Sequence, residues 1–202
     1  MSWLSHDSAF MRGLGNVTDA VWITILMACT SLPILTLGAA ATAGHDAIRC
    51  SLSGEGNVTP RYFASFRRNF VQSTLLWLLF CPVGVLLAWL WIATRSTPLL
   101  VVKIAATVIW IIGFEWVWAF QARFDNAVPH TLGNAYVVGM AHMGATLAMM
   151  AIDAVYVALC IGSWMYVPQG LFPLAVFGYG LLIMLHTPII ERVFAPFVHG
   201  VV

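Results

Sequence analysis

Charge is what this sequence has least of. Residues 69–94 carry no charged side chain, and neither do residues 154–190. Only 8% of the chain is Asp, Glu, Lys or Arg, against about 25% in a typical soluble domain. With 61% hydrophobic residues and a mean hydropathy of +0.89, the chain cannot cover a water-facing surface with polar groups, so lipid must be its main solvent. The net charge of +1 provides no basic field, and no nucleic-acid partner is expected. Cysteine is sparse and unpatterned. Cys29, Cys50, Cys81 and Cys160 share no tight spacing and read as small apolar packing residues, not as a disulfide framework or a zinc site. Catalytic signatures are missing too: there is no Gly-x-Ser-x-Gly, no Walker sequence and no phosphate-cradling glycine loop. The histidines (His6, His45, His130, His142, His186 and His199) are scattered, without the paired spacing of a local metal site. No catalytic residue, metal or cofactor is expected, and the chain is not expected to be an enzyme. Its 202 residues are one domain's worth and leave no room for a sizeable soluble catalytic unit.

What is present is a set of five long apolar stretches, at residues 20–44, 71–94, 98–122, 143–167 and 170–190. Each reaches the ~20 residues that a spanning helix needs. In hydrocarbon every backbone N–H and C=O must be satisfied inside its own segment, which leaves helices as the form for such runs. The alternation of a β-barrel is absent. The expected fold is therefore all-α, a polytopic membrane helix bundle of about five transmembrane helices in a single domain, without internal repeats. Ser96-Thr97-Pro98 and Val167-Pro168-Gln169-Gly170 punctuate it, and residues 126–131 belong to a longer link. Thr18 or Asp19 is a suitable cap for the first span. That span is too long for a signal-peptide core and is expected to be retained. Trp3, Trp91 and Trp164 lie where interfacial aromatic belts form.

Orientation follows from the basic residues. Arg49, Arg61, Arg67, Arg68, Arg123 and Arg192 fall on one side, and Arg12, Arg95 and Lys103 on the other. The first side is expected to be cytoplasmic, with the N-terminus outside and the C-terminus inside. A first span broken into a hairpin at Pro33 would instead leave both ends cytoplasmic. A kinked but continuous span is expected, because prolines are tolerated inside spanning helices.

Three features are candidates for function. In the first span, Pro33 and Thr36 precede a run of small residues that includes Gly38, Ala40 and Gly44. Such a surface lets another helix approach closely, either within the chain or from a partner's transmembrane helix. The second is residues 59–70, where Thr59 and Pro60 make a helix start. Phe63, Phe66 and Phe70 then fall on one face, with Arg61, Arg67 and Arg68 away from it or near its edge. This reads as a short amphipathic cytoplasmic helix lying aromatic side down on the membrane. It serves either as a topology anchor or as a partner-contact surface together with Asn69. The third is a pair of intramembrane acids, Glu115 and Asp153, which a rise of 1.5 Å per residue puts at similar depth. Buried acids in a membrane are costly and point to ion or proton handling. The alternative is that they are protonated and bonded to a Tyr, Ser or Thr.

Four segments carry a resemblance. They are Leu32-Pro33-Ile34-Leu35-Thr36-Leu37-Gly38-Ala39-Ala40, then Tyr62-Phe63-Ala64-Ser65-Phe66-Arg67-Arg68-Asn69-Phe70, then Gln121 to Asp125, and finally Thr131-Leu132-Gly133-Asn134-Ala135. In these the chain resembles the YesL family of small bacterial integral membrane proteins, a family of unknown function. The resemblance implies a location in the bacterial inner membrane. It also implies an accessory or regulatory role beside a carbohydrate ABC importer, with sugar permease subunits as partners besides the lipid bilayer. It implies no catalytic residue and no oligomeric state. Two other functions remain open: a small self-contained transporter or channel using Glu115 and Asp153, and a membrane assembly or scaffold module.

Overall fold

The computed structural model describes residues 9–94, 97–124 and 126–199; Trp3, His6, Asp7, Arg95, Ser96 and Asp125 lie outside the described residues. Seven α-helices follow one another, with no strand among the described residues. They are α1 (Ala9–Thr30), α2 (Leu37–Leu52), α3 (Val58–Ala93), α4 (Leu100–Arg123), α5 (Val128–Ala141), α6 (Met143–Tyr166) and α7 (Leu171–His199). Five of them, α1, α3, α4, α6 and α7, are long and apolar enough to cross a membrane. The protein is an all-helical, multi-pass membrane protein by this measure.

The continuous first span expected over 20–44 does not form. Proline has no N–H to donate, and its ring pushes the residue before it out of helical geometry. Here the helix stops at Thr30, and Pro33 has an extended backbone (ψ 109°). The chain turns through Ile34–Thr36 and starts again at Leu37. Thr36 ties the turn, its Oγ1 donating to the carbonyls of Thr30 and Pro33. The two halves fold back on each other: Ser51 Oγ donates to Asp19 Oδ2 at 2.6 Å, and Gly44 lies against Met27.

This hairpin makes α2 the central helix of the bundle, packed against α1, α3, α4 and α7. All of residues 38–48 are buried. The small side chains are what let four helices surround it. A Cβ on Gly38 would sit on the Ser73 carbonyl and 2.8 Å from Trp77 Cβ. The hairpin also decides which helix ends lie together. Asp19 lies beside the C-terminal end of α2. Glu191 on α7 reaches Arg123 at the end of α4 (3.5 Å) and shares a cavity with Arg49 and Ser53. The start of α1 and the end of α7 are thus at the same end of the bundle.

A tight turn joins α2 to α3, with Gly54 and Gly56 at positive φ (76° and 64°), a backbone region that glycine enters without strain. The helix then starts at Val58 behind a left-handed Asn57, so Thr59 is not the cap; it accepts a hydrogen bond from Trp22 Nε1 instead. The amphipathic segment expected at 59–70 is not a separate helix. It is the first part of the 36-residue α3, and its inward face is polar. Tyr62, Ser65 and Asn69 are buried, while Phe63 and Phe70 are each 39% exposed. In a bundle solvated by lipid, aromatic faces can turn outward and polar groups find their partners inside.

The link between the third and fourth spans holds an additional 14-residue helix, α5. It is too short to cross a membrane and packs on α4, with Gly139 against Ile112 and Trp116. Lys103 donates to the Thr94 carbonyl (2.7 Å) and lies over the Trp91 ring (4.8 Å). Its charge is thereby held by the backbone and an aromatic face.

Candidate functional site

Three spans each carry an ionisable residue at the same place. Glu115 comes from α4, Asp153 from α6 and His186 from α7, and their ligand atoms all lie within 4.8 Å of one another. The imidazole lies beside both acids: Nδ1 is 3.9 Å from Glu115 Oε2, and Nε2 is 3.4 Å from Asp153 Oδ1. That second contact is close but off the line of a hydrogen bond, and Nε2 has no hydrogen-bond partner although the side chain is only 8% exposed. A buried, unpartnered ring nitrogen is uncommon, because leaving one dry costs about 1–3 kcal/mol. The groups face a chamber of about 210 Å³ whose wall includes His45, Tyr156 and Tyr179. Tyr156 is fixed by donating to the Leu174 carbonyl (3.1 Å).

Charge balance says what the chamber can do. With a neutral imidazole and both acids ionised, the cluster carries −2 in the middle of a lipid-solvated bundle. Buried charge of that kind must be compensated, either by protons or by a cation. The donor set suits a divalent ion. Imidazole nitrogen and carboxylate oxygen bind Zn²⁺ at about 2.0–2.2 Å, which separates neighbouring tetrahedral ligands by about 3.4 Å. His186 Nε2 and Asp153 Oδ1 already have that separation. Glu115 offers a carboxylate oxygen as the third member of a group whose ligand atoms lie within 4.8 Å of one another.

Sequence reasoning found both acids and their common depth but not the histidine that joins them. The available signal was an ionisable residue on each of three spans, not any local spacing. It also expected no metal site, since His186, Asp153 and Glu115 meet only through the fold.

A second polar system lies at the arginine-rich end. The Asp46 carboxylate, 1% exposed, accepts from Arg49 Nη2 at 2.6 Å and from Arg61 Nε and Nη2 at 2.9 and 3.2 Å. Burial alone would raise the pKa of Asp46, but the hydrogen bonds from Arg61 and Arg49 outweigh it and hold the carboxyl below its ordinary value. A third system joins α3, α4 and α5. Gln121 Nε2 donates to Gln72 Oε1 (2.6 Å) and Asn69 Oδ1 (3.3 Å), and Thr131 Oγ1 donates to Gln121 Oε1 (3.0 Å).

The candidate partner-binding residues divide accordingly. Gly38, Ala40, Gly44 and Asn69 are buried inside the chain. Pro33 and Thr36 form the hairpin turn. Phe63, Arg67 and Arg68 face outward and Phe66 is half-buried.

Residues 17–91 match the model of a family described as a protein of unknown function, DUF624. The DUF624-like region takes in the α1–α2 hairpin, the Asp46 arginine cluster and nearly all of α3. Glu115, Asp153 and His186 lie beyond it. No curated protein and no solved structure matches the chain.

Proposed function

We propose that this chain is a small bacterial inner-membrane protein whose working centre is a membrane-buried cation site made by Glu115, Asp153 and His186. The observation that carries the reading is the convergence of two acids and an unpartnered imidazole nitrogen from three helices on one chamber. The cation is a divalent ion of the zinc class, which neutralises the two carboxylates. Arg12, Arg49, Arg61, Arg67, Arg68, Arg123 and Arg192 belong to one end of the bundle, so this end, with the start of α1 and the end of α7, faces the cytoplasm.

The test is a Zn²⁺ titration of the full-length protein in lipid nanodiscs, beside Glu115→Gln, Asp153→Asn and His186→Gln. One ion per chain is expected, with affinity weakened at least 10-fold by each substitution. If the wild-type protein binds no Zn²⁺, the cation reading fails. Proton flux in liposomes that is lost on neutralising either acid would then assign the centre to protons.

A second reading is that the chain is a YesL-type accessory or regulatory subunit of a carbohydrate ABC importer. It is supported by the sequence resemblance and by the outward-facing Phe63, Arg67, Arg68 and Phe70. The small-residue run is consumed by α2 packing, so this face would be the contact surface. Stoichiometric co-purification of sugar permease subunits from native membranes, lost in Arg67→Glu/Arg68→Glu, is the expected result. A lone protein refutes the reading.

A further inference from the structure

Three spaces line up between the buried centre and the arginine-rich end. The chamber holding Glu115, Asp153 and His186 has His45 in its wall. His45 also lines a much smaller space of about 20 Å³ together with Arg49, Ala122, Arg123 and Thr187. Arg49, Arg123, Thr187 and Glu191 in turn line an outer vestibule of about 600 Å³, which has Glu55 and Ser53 at its wall. The series runs between α2, α4 and α7. The middle space is the narrow part, since one water needs about 10–15 Å³ and there is room for little more. His45, 9% exposed, is the residue common to the narrow part and the chamber.

Two further cavities that border the chamber have a different character. One is shared through Phe114, Trp118 and Tyr179 and has no charged side chain in its lining. The other is shared through Tyr156 and Leu182 and is otherwise aliphatic and aromatic. An ion leaving water would lose its hydration in either of them without gaining a charged or strongly polar partner. On the His45 side Arg49 and Arg61 share Asp46, Arg123 pairs with Glu191, and Glu55 at the vestibule wall brings the count to three carboxylates for three guanidinium groups. A cation is therefore not repelled there.

We infer that the cation centre is reached from the arginine-rich end only, through the gap between α2, α4 and α7, and that His45 is the gate residue of this route. It sets the rate of passage and is not a ligand. The inference rests on the proposed cation site and adds its route and its sidedness.

Stopped-flow Zn²⁺ binding and release, with a fluorescent chelator as competitor and full-length protein in nanodiscs, tests it. His45→Phe is expected to slow association and release together by at least 10-fold while leaving Kd within about 3-fold; His45→Ala is expected to speed both. A weakened Kd with unchanged association would make His45 a ligand and overturn the gate. Unchanged rates in both variants would place the route elsewhere. Because His45 is buried and a Phe there can disturb folding, Ala122→Cys gives a second measurement. In a background with the four native cysteines replaced, a methanethiosulfonate adduct at position 122 should slow Zn²⁺ exchange at least 10-fold relative to the same protein before modification. Unaltered exchange after complete modification refutes the route. A wild-type protein that binds no Zn²⁺ overturns the cation site itself and the route with it, whereas normal binding with gate-independent rates overturns the route alone.

Discussion

Removing the Asp46 carboxylate should be the most damaging single charge change at the arginine-rich end. Asp46→Ala strands two guanidinium groups, and their environments differ. Arg61 makes the better fork, with two bonds at 2.9 and 3.2 Å, but its side chain is 40% exposed, and water can replace the partner. Such a pair is worth about 0–1 kcal/mol. Arg49 makes one bond of 2.6 Å and is 20% exposed, with its Nε already lacking a partner. A charge-assisted hydrogen bond in that setting is worth about 1.5–3 kcal/mol. Burial therefore outweighs geometry, and the total loss should be about 2–4 kcal/mol, near the range for breaking a buried pair. Unfolding of the full-length protein in nanodiscs, followed by tryptophan fluorescence, measures it. In double-mutant cycles the coupling of Asp46 to Arg49 should exceed its coupling to Arg61. Asp46 is held below its ordinary pKa in the folded state. Its contribution is thus fully present above the unfolded value of about 3.9 and is lost as pH falls through the folded value. The stability gap between wild type and Asp46→Asn should be flat from pH 8 to about pH 5 and close only below about pH 4. A loss under about 1 kcal/mol in Asp46→Ala, or stronger coupling to Arg61, would refute this reasoning.

Other consequences are separable. Gly38→Ala should cost about 1–3 kcal/mol by overpacking, since the new Cβ meets the Ser73 carbonyl; Gly133→Ala on α5, where nothing lies within 4 Å, should be neutral or stabilising by up to about 1 kcal/mol. The same unfolding assay distinguishes them, and equal effects would count against the packing of α2. Gln121→Leu leaves Asn69, Gln72 and Thr131 without their shared partner and should destabilise by about 1–3 kcal/mol, with Asn69→Leu in addition costing much less than the sum. Single cysteines at Gly13 and Glu55, in a cysteine-free background, should react with a membrane-impermeant thiol reagent from the same side of right-side-out vesicles; labelling from opposite sides would rule out the α1–α2 hairpin.

The residues that carried the family resemblance acquire a physical meaning in the fold. Asn69, Gln121 and Thr131 come from three separate sequence blocks, and they hydrogen-bond to one another in the interior. The Leu32–Ala40 block forms the hairpin turn and the start of the buried α2. No short-range pattern could reveal either, because each is enclosed by partners ten or more residues away.

Helical class and most of the spans were determined by the sequence itself. Lipid leaves an uncharged run of about 20 residues little alternative to bonding its own backbone in a helix, so that property is local and legible. The helix break between Tyr166 and Leu171 was legible for the same kind of reason, a proline and a glycine within four residues. Only the tertiary structure decided whether Pro33 would bend the first span or fold it into a hairpin. The outcome depends on whether four neighbours can enclose a helix made of small residues. It also decided which face of residues 59–70 turns inward, since in lipid apolar side chains gain nothing by leaving the surface while polar ones must find partners. The Glu115–Asp153–His186 cluster belongs to the same class: an acid, a second acid and an imidazole on three different helices, unrelated along the chain, come together only when packing sets their helices side by side.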